Sequence, residues 1–303
     1  MPLVVQAAHT AWPAADTRAS GLLAQSGARL AHGDLMVDGL QRRLGEIRNV
    51  MPTRDSGGEV FARYVSGAIE PSGGRIARVR AGGVQLGGSL VLWNEDGASH
   101  RMGGALDRGM LRGNAAVADE PATAFSVWYT HQRAWGGYVD AVLSRTRHAG
   151  AARQGDAAVA KTGASQWIVS AEAGAPLQVG ENLAIEPRIQ LKHQSLRLGV
   201  ARVDSIHRTT ARLGARLARI DNERFVPYVQ ADLERRAGAR IDAALPDAAT
   251  GAGRGGTSMR FSAGFTIKLT RSIDVHADAR LQKRLAGSGD RGSSFNAGLR
   301  INF

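Results

Sequence analysis

From residue 57 onward, hydrophobic and polar residues alternate with a period of two, which places successive side chains on opposite faces of an extended strand. The final ten positions show it most clearly. Phe295, Ala297, Leu299, Ile301 and Phe303 share one face, and Ser294, Asn296, Gly298, Arg300 and Asn302 share the other. The same rhythm runs through Ile273–Gln282, Met259–Lys268, Phe225–Glu234, Ala211–Leu217 and Leu183–Lys192, whereas segments 84–112 and 123–145 alternate poorly. A half-buried soluble sheet also alternates. Here, however, the segments reach about ten residues, the span of a tilted membrane-crossing strand. Charges recur on the polar face: Glu186, Arg188, Arg212, Arg216, Asp232, Glu234, Asp274, Asp278 and Arg280. Connections also alternate in length. Those at 93–100, 131–135, 176–182, 220–223 and 269–272 are short. Those at 70–78, 114–122, 146–163, 199–205, 237–256 and 286–293 are mostly longer and rich in Gly, Ala and Asp. Short turns on one rim and long loops on the other mark a transmembrane antiparallel β-barrel, and the segments number about twelve, an even count as such barrels require.

Upstream the period changes. Residues 17–48 carry helical spacing, with an interruption expected at Gly33. Leu35, Met36, Leu40, Leu44 and Ile47 form an apolar stripe opposite Asp38, Gln41, Arg42, Arg43 and Glu46. Pro52 and Gly57-Gly58 then end the helix. The chain therefore divides into an upstream segment, 1–34, a helix, 35–50, and the strand region, 57–303.

Composition narrows the function classes. Lys plus Arg total 39 against 27 Asp plus Glu, a formal charge of +12, but the basic residues are dispersed and form no basic run with interleaved aromatics. That excludes nucleic acid as the expected partner. There is no cysteine, which suits passage across an oxidising compartment in an unfolded state. No apolar run approaches the ~20 residues of a spanning helix, and residues 1–6 lack the basic start and apolar core of a signal peptide. The eight histidines show no metal-ligand spacing. Gly82-Gly83 and Gly87-Gly88 lie in a strand-like segment without a phosphate-loop motif, and Ser66-Gly67 lacks a nucleophile elbow. His148 and Asp156 share an expected loop, too little to define a site. No enzyme, cofactor or metal is expected.

The run Leu40-Gln41-Arg42-Arg43-Leu44-Gly45-Glu46-Ile47-Arg48 resembles the linker-helix motif of the pertactin-like autotransporters, which precedes the first strand of their translocator domain. The resemblance extends over residues 35–303. It implies a twelve-stranded barrel in the bacterial outer membrane with the linker helix inside its pore. It also implies export of an N-terminal passenger in cis to the cell surface, where the barrel anchors it. Residues 1–34 would be a passenger remnant or upstream linker. The implied partners are outer-membrane lipid and lipopolysaccharide, the chain's own passenger, periplasmic chaperones and the barrel-assembly machinery, with the barrel a monomer. Phe295, Leu299, Ile301 and Phe303 resemble the C-terminal signal which that machinery reads. A barrel of this size is too wide for its own side chains to fill, and the helix can plug it, with Arg42, Arg43, Glu46 and Arg48 pairing with lumen acids such as Glu186, Asp232, Glu234, Asp274 and Asp278.

Many members of that family release the passenger by cleavage within the helix, where an asparagine amide attacks its own backbone carbonyl. The matching positions here are Asp38 and Gly39, so the nucleophilic amide is missing. Self-cleavage is therefore not expected, and Asp38→Asn is expected to create or accelerate it. A general diffusion porin is the alternative function, and a soluble basic β protein a third reading. The passenger's own activity lies upstream of this domain.

Overall fold

A computed structural model describes residues 12–50, 57–70, 78–95, 97–113, 119–154, 157–200, 203–220, 224–238, 240–243 and 255–303. Among these described residues one helix, α1 (Trp12–Val50), precedes fourteen strands. The first six are β1 (Gly58–Glu70), β2 (Val79–Glu95), β3 (Ala98–Arg112), β4 (Glu120–Arg133), β5 (Tyr138–Gln154) and β6 (Ala157–Gly174). The short β7 (Leu177–Gln178) precedes β8 (Leu183–Val200), β9 (Val203–Arg219) and β10 (Phe225–Arg236). The short β11 (Arg240–Ala243) leads to β12 (Gly256–Lys268), β13 (Ile273–Gly287) and β14 (Arg291–Asn302).

Every pairing is antiparallel. β1 pairs with both β2 and β14, and the remaining ladder runs around the ring through the β8–β9 pair without a free edge. The two short strands prolong their neighbours at the rims, β7 on β8 and β11 on β9. What remains is a closed barrel of twelve long strands, matching the even count read from the sequence. The seam between β1 and β14 is fastened by Gly58 and Phe303, each backbone N–H donating to the other's carbonyl at 2.8 and 3.0 Å.

Burial is inverted relative to a soluble protein. On β9 and β13, Leu213 and Leu281 are 63% and 66% exposed, while their neighbours Arg212 and Arg280 are 4% and 6% exposed. Leu86, Leu106, Phe125, Ile189, Phe261 and Phe295 continue the outward apolar band. An apolar exterior around a polar interior is what a bilayer-embedded barrel requires and what a water-soluble one cannot tolerate. The four residues of the C-terminal pattern, Phe295, Leu299, Ile301 and Phe303, are all exposed on this outer face.

The structure departs from the sequence reading at three places. The loop expected over 146–163 is largely strand, since β5 runs to Gln154 and β6 starts at Ala157. Likewise β8 and β9 extend to Val200 and from Val203. Small residues such as Ala and Gly, read as loop composition, are tolerated here because the ladder hydrogen bonds carry the hairpin. Third, α1 is continuous through Gly33. A Cβ at Gly33 would stand only 2.5 Å from the Gln166 side-chain amide. This glycine thus lets the helix lie against β6; it does not break the helix.

Candidate functional site: the helix-filled pore

The functional region is the lumen and the helix it encloses. The wall residues that α1 approaches come from both halves of the barrel, and the apolar stripe of the helix finds apolar partners. Val37, Leu40 and Leu44 pack with Phe61, Ala105, Trp128, Val142 and Ile168, all on inward faces of β1 and β3–β6. Leu35 and Met36 pack with Val65, Val79, Ala81 and Leu111. Gly39 makes room for Arg63, whose guanidinium would come within 2.7 Å of a Cβ there and whose Nη2 donates to the Met36 carbonyl at 2.9 Å.

Charges fix the rotation and depth of the helix. Asp34 and Asp38, one turn apart and so on one face, both look toward β8–β13. Asp38 Oδ1 accepts from Lys192 Nζ at 2.9 Å and Arg212 Nη2 at 2.7 Å. Its Oδ2 accepts from Arg260 Nη1 at 2.6 Å and Arg280 Nη1 at 2.9 Å. Four cations from four strands therefore meet on one buried carboxylate. Asp34 pairs with Lys192 and Arg208. The helix cations engage acids elsewhere on the wall. Arg29 meets Glu120 at 2.8 Å, and Arg42 meets Asp278 at 3.1 Å. Arg43 meets Glu59 at 2.5 Å and lies over the Phe61 ring, 3.5 Å from its centroid. The helix thus carries acids toward one side of the lumen and cations toward other acids of the wall, and only one rotation satisfies both sets.

All nine lumen positions singled out in the sequence are buried on the inward face. Among the described side chains, most of their partners lie on the wall, and Asp278 meets the helix in a salt bridge, through Arg42. Asp232 is held by Arg188 at 2.9 Å, Glu234 by Arg260 at 2.6 Å, and Asp274 by Arg300. Glu186 accepts from the Tyr138 hydroxyl at 3.0 Å. Arg216 lies over the Tyr228 ring, 3.9 Å from its centroid. The wall cations outnumber what the wall acids nearby can absorb, so the helix acids make up part of the difference. Sequence reasoning missed Arg29, Asp34, Glu59, Glu120, Lys192, Arg208 and Arg260. The spacing of Asp34 and Asp38 was the available signal, since two acids one turn apart on an inserted helix call for a basic wall. The side chains of Glu46, Ile47 and Arg48 lie outside the described residues, as does Asp156. His148 belongs to β5, not to a loop, and its ring lies 5.6 Å from that of His32 on the helix.

A profile of the autotransporter β-domain family matches residues 60–280. The chain belongs to the autotransporter β-domain family. Solved structures of the same fold include the β domain of the Bordetella autotransporter BrkA, at 19% identity and a TM-score of 0.60, covering 82% of this chain and 99% of that one. The translocator domain of the autotransporter NalP from Neisseria meningitidis is similar at 12% identity and TM-score 0.62, covering 90% and 99%. The transport unit of AIDA-I from Escherichia coli follows at 14% identity and TM-score 0.59, covering 86% and 97%. No match to a curated protein sequence was found. As an autotransporter β domain the chain is an outer-membrane pore that serves the export of its own N-terminal passenger, and its closed barrel is monomeric.

The polarity of the helix fits that role. Arg43 engages Glu59 near the start of β1, on the rim of the short turns, and Arg29 engages Glu120 at the start of β4, on the rim of the longer loops. In outer-membrane barrels the short turns are periplasmic and the longer loops extracellular. The N-terminal part of α1 therefore points to the outer side and its C-terminal part to the periplasmic side.

Proposed function

We propose that this domain is a translocator whose pore is closed by its own helix once export is complete, so that α1 serves as both the last translocated segment and the plug. The observation that carries this reading is the fit of α1 in the lumen. Residues 24–45 are buried almost without exception, and both helix acids and all three described helix cations in that stretch have wall partners. A diffusion porin needs an open lumen, which this packing does not leave. Planar-bilayer recording separates the two. Low conductance in the intact chain, rising on deletion of residues 1–50, is expected, whereas high conductance in the intact chain would identify a porin.

The boundaries at 34 and 35 mark the upstream segment and the linker helix by their role and not by a break in α1. Lipopolysaccharide and lipid are the expected neighbours of the outward apolar band. The outward row Phe295, Leu299, Ile301 and Phe303 is the segment offered to the barrel-assembly machinery after delivery by periplasmic chaperones. The passenger stays attached: at Asp38-Gly39 both carboxylate oxygens are engaged by cations, and there is no amide to act as nucleophile. Asp38→Asn supplies that amide and is expected to give a cleaved band on a denaturing gel. An intact single band with a folded barrel would remove the junction from consideration.

A further inference from the structure

A cavity of about 30 Å³ lies between α1 and the β12–β14 wall, bordered by Asp34 and Asp38 of the helix and by Arg260, Arg280, Gln282 and Ser294 of the wall. Strand register brings the four wall residues together. Arg260 on β12 faces Gln282 on β13, and Arg280, two positions along the same inward face, faces Ser294 on β14. Directly opposed residues place their Cβ atoms about 5 Å apart, so four donor side chains converge on one spot.

Each of these side chains has a polar hydrogen without an acceptor. Arg260 Nε, Arg280 Nε, Arg280 Nη2, Gln282 Nε2 and Ser294 Oγ are buried without a hydrogen-bond partner among the described residues. The carboxylates at the cavity are already committed: Asp38 to four cations, Asp34 to Lys192 and Arg208, and Asp290 to Arg236. Among the described residues, Arg280 touches no carboxylate but Asp38, which it shares with three other cations. Buried polar N–H and O–H groups left without an acceptor are unfavourable even where their charge is paired. Room for a single water-sized or slightly larger sphere suits a monatomic ion.

We infer that this cavity is a halide site, occupied by chloride, which completes the coordination of Arg260 and Arg280 and forms part of the contact between helix and wall. A cavity this small favours a monatomic anion over a bulky one such as gluconate. A water could fill the space but accepts at most two hydrogen bonds and brings no charge.

The test is to crystallise the full chain in bromide and collect anomalous diffraction. A bromide peak within hydrogen-bond range of Arg280 and Gln282 is expected, together with its loss in Gln282→Leu. That variant removes one donor from the rim of the site and leaves every salt bridge intact. In parallel, pore opening of the intact chain is recorded in bilayers at constant ionic strength. Replacement of chloride by gluconate, which cannot enter, is expected to raise opening severalfold in the parent and less in Gln282→Leu. Ordinary water density at the site in bromide, or equal opening in both salts, would overturn the proposal. Neither result would bear on whether the barrel exports a passenger.

Discussion

Replacing Asp38 by alanine removes the one carboxylate on which Lys192, Arg212, Arg260 and Arg280 converge, at 2.6 to 2.9 Å. The loss is uneven. Lys192 keeps Asp34, and Arg212 and Arg260 keep Glu234, at 3.7 and 2.6 Å. Arg280 is left with no carboxylate contact among the described residues. Leaving a buried charge without its partner costs about 3–5 kcal/mol. With three of the four cations partly compensated, the lower end applies, so about 3 kcal/mol separates the docked helix of the variant from that of the parent. Because each 1.4 kcal/mol is a factor of ten, the ratio of open to plugged pore rises by roughly 100-fold. Alanine carries no nucleophile, so opening is read without interference from chain cleavage. The assay is the open-time fraction of single channels in planar bilayers, with the folded state of the barrel checked by heat-dependent gel migration. Adding Arg280→Met to Asp38→Ala removes the stranded cation and should restore part of the closure. An open-time fraction equal to the parent's in Asp38→Ala, with a folded barrel, would refute the assignment of Asp38 as the principal anchor.

Gly33→Leu forces a side chain into the Gln166 amide and is expected to lift α1 from β6, raising conductance while leaving barrel stability within about 1 kcal/mol in urea unfolding. Arg43→Met loses both the Glu59 contact and the position over Phe61, leaving Glu59 the Ser89 hydroxyl at 2.5 Å and the more distant Arg101 and Arg300 at 4.0 Å. It should raise the open fraction by about 2 kcal/mol of docking energy, roughly 30-fold by the same bilayer measurement. Leu213→Arg puts a cation on the outward face, and the barrel should lose about 2–4 kcal/mol in vesicle refolding titrations if the site is near the bilayer midplane. The neighbouring lumen change Arg216→Met should alter conductance more than stability.

How far the sequence discloses this architecture depends on what each strand faces. β8–β14 look inward onto charged side chains, so Arg212 against Leu213 or Asp278 against Ala279 stands out as plain alternation. Their strand positions and lumen charges could be read directly. β2–β5 face the apolar side of α1. Ala105, Trp128 and Val142 point inward there, and Gly83 and Gly109 come close to Met36 and His32 of the helix. Apolar-in and apolar-out residues then blur the period, which is why 84–112 and 123–145 read poorly. The linker motif gave the location of the helix. Its partners could not be read, because Asp38 and Arg280 are 242 positions apart and meet only through closure of the ring. Helical spacing pointed to an inserted face but gave no account of which wall it would meet.

The seam between β1 and β14 has a topological consequence. α1 enters β1 after a few residues, and the barrel becomes a ring only when β14, the last strand, pairs with β1. A chain that passes through the ring, from long-loop rim to short-turn rim, is threaded through a loop made of itself. Once Gly58 and Phe303 are zipped, the segment upstream can change sides only by being drawn lengthwise through the lumen or by the ring reopening. The side on which the passenger ends is then preserved by connectivity and not by the strength of any one contact.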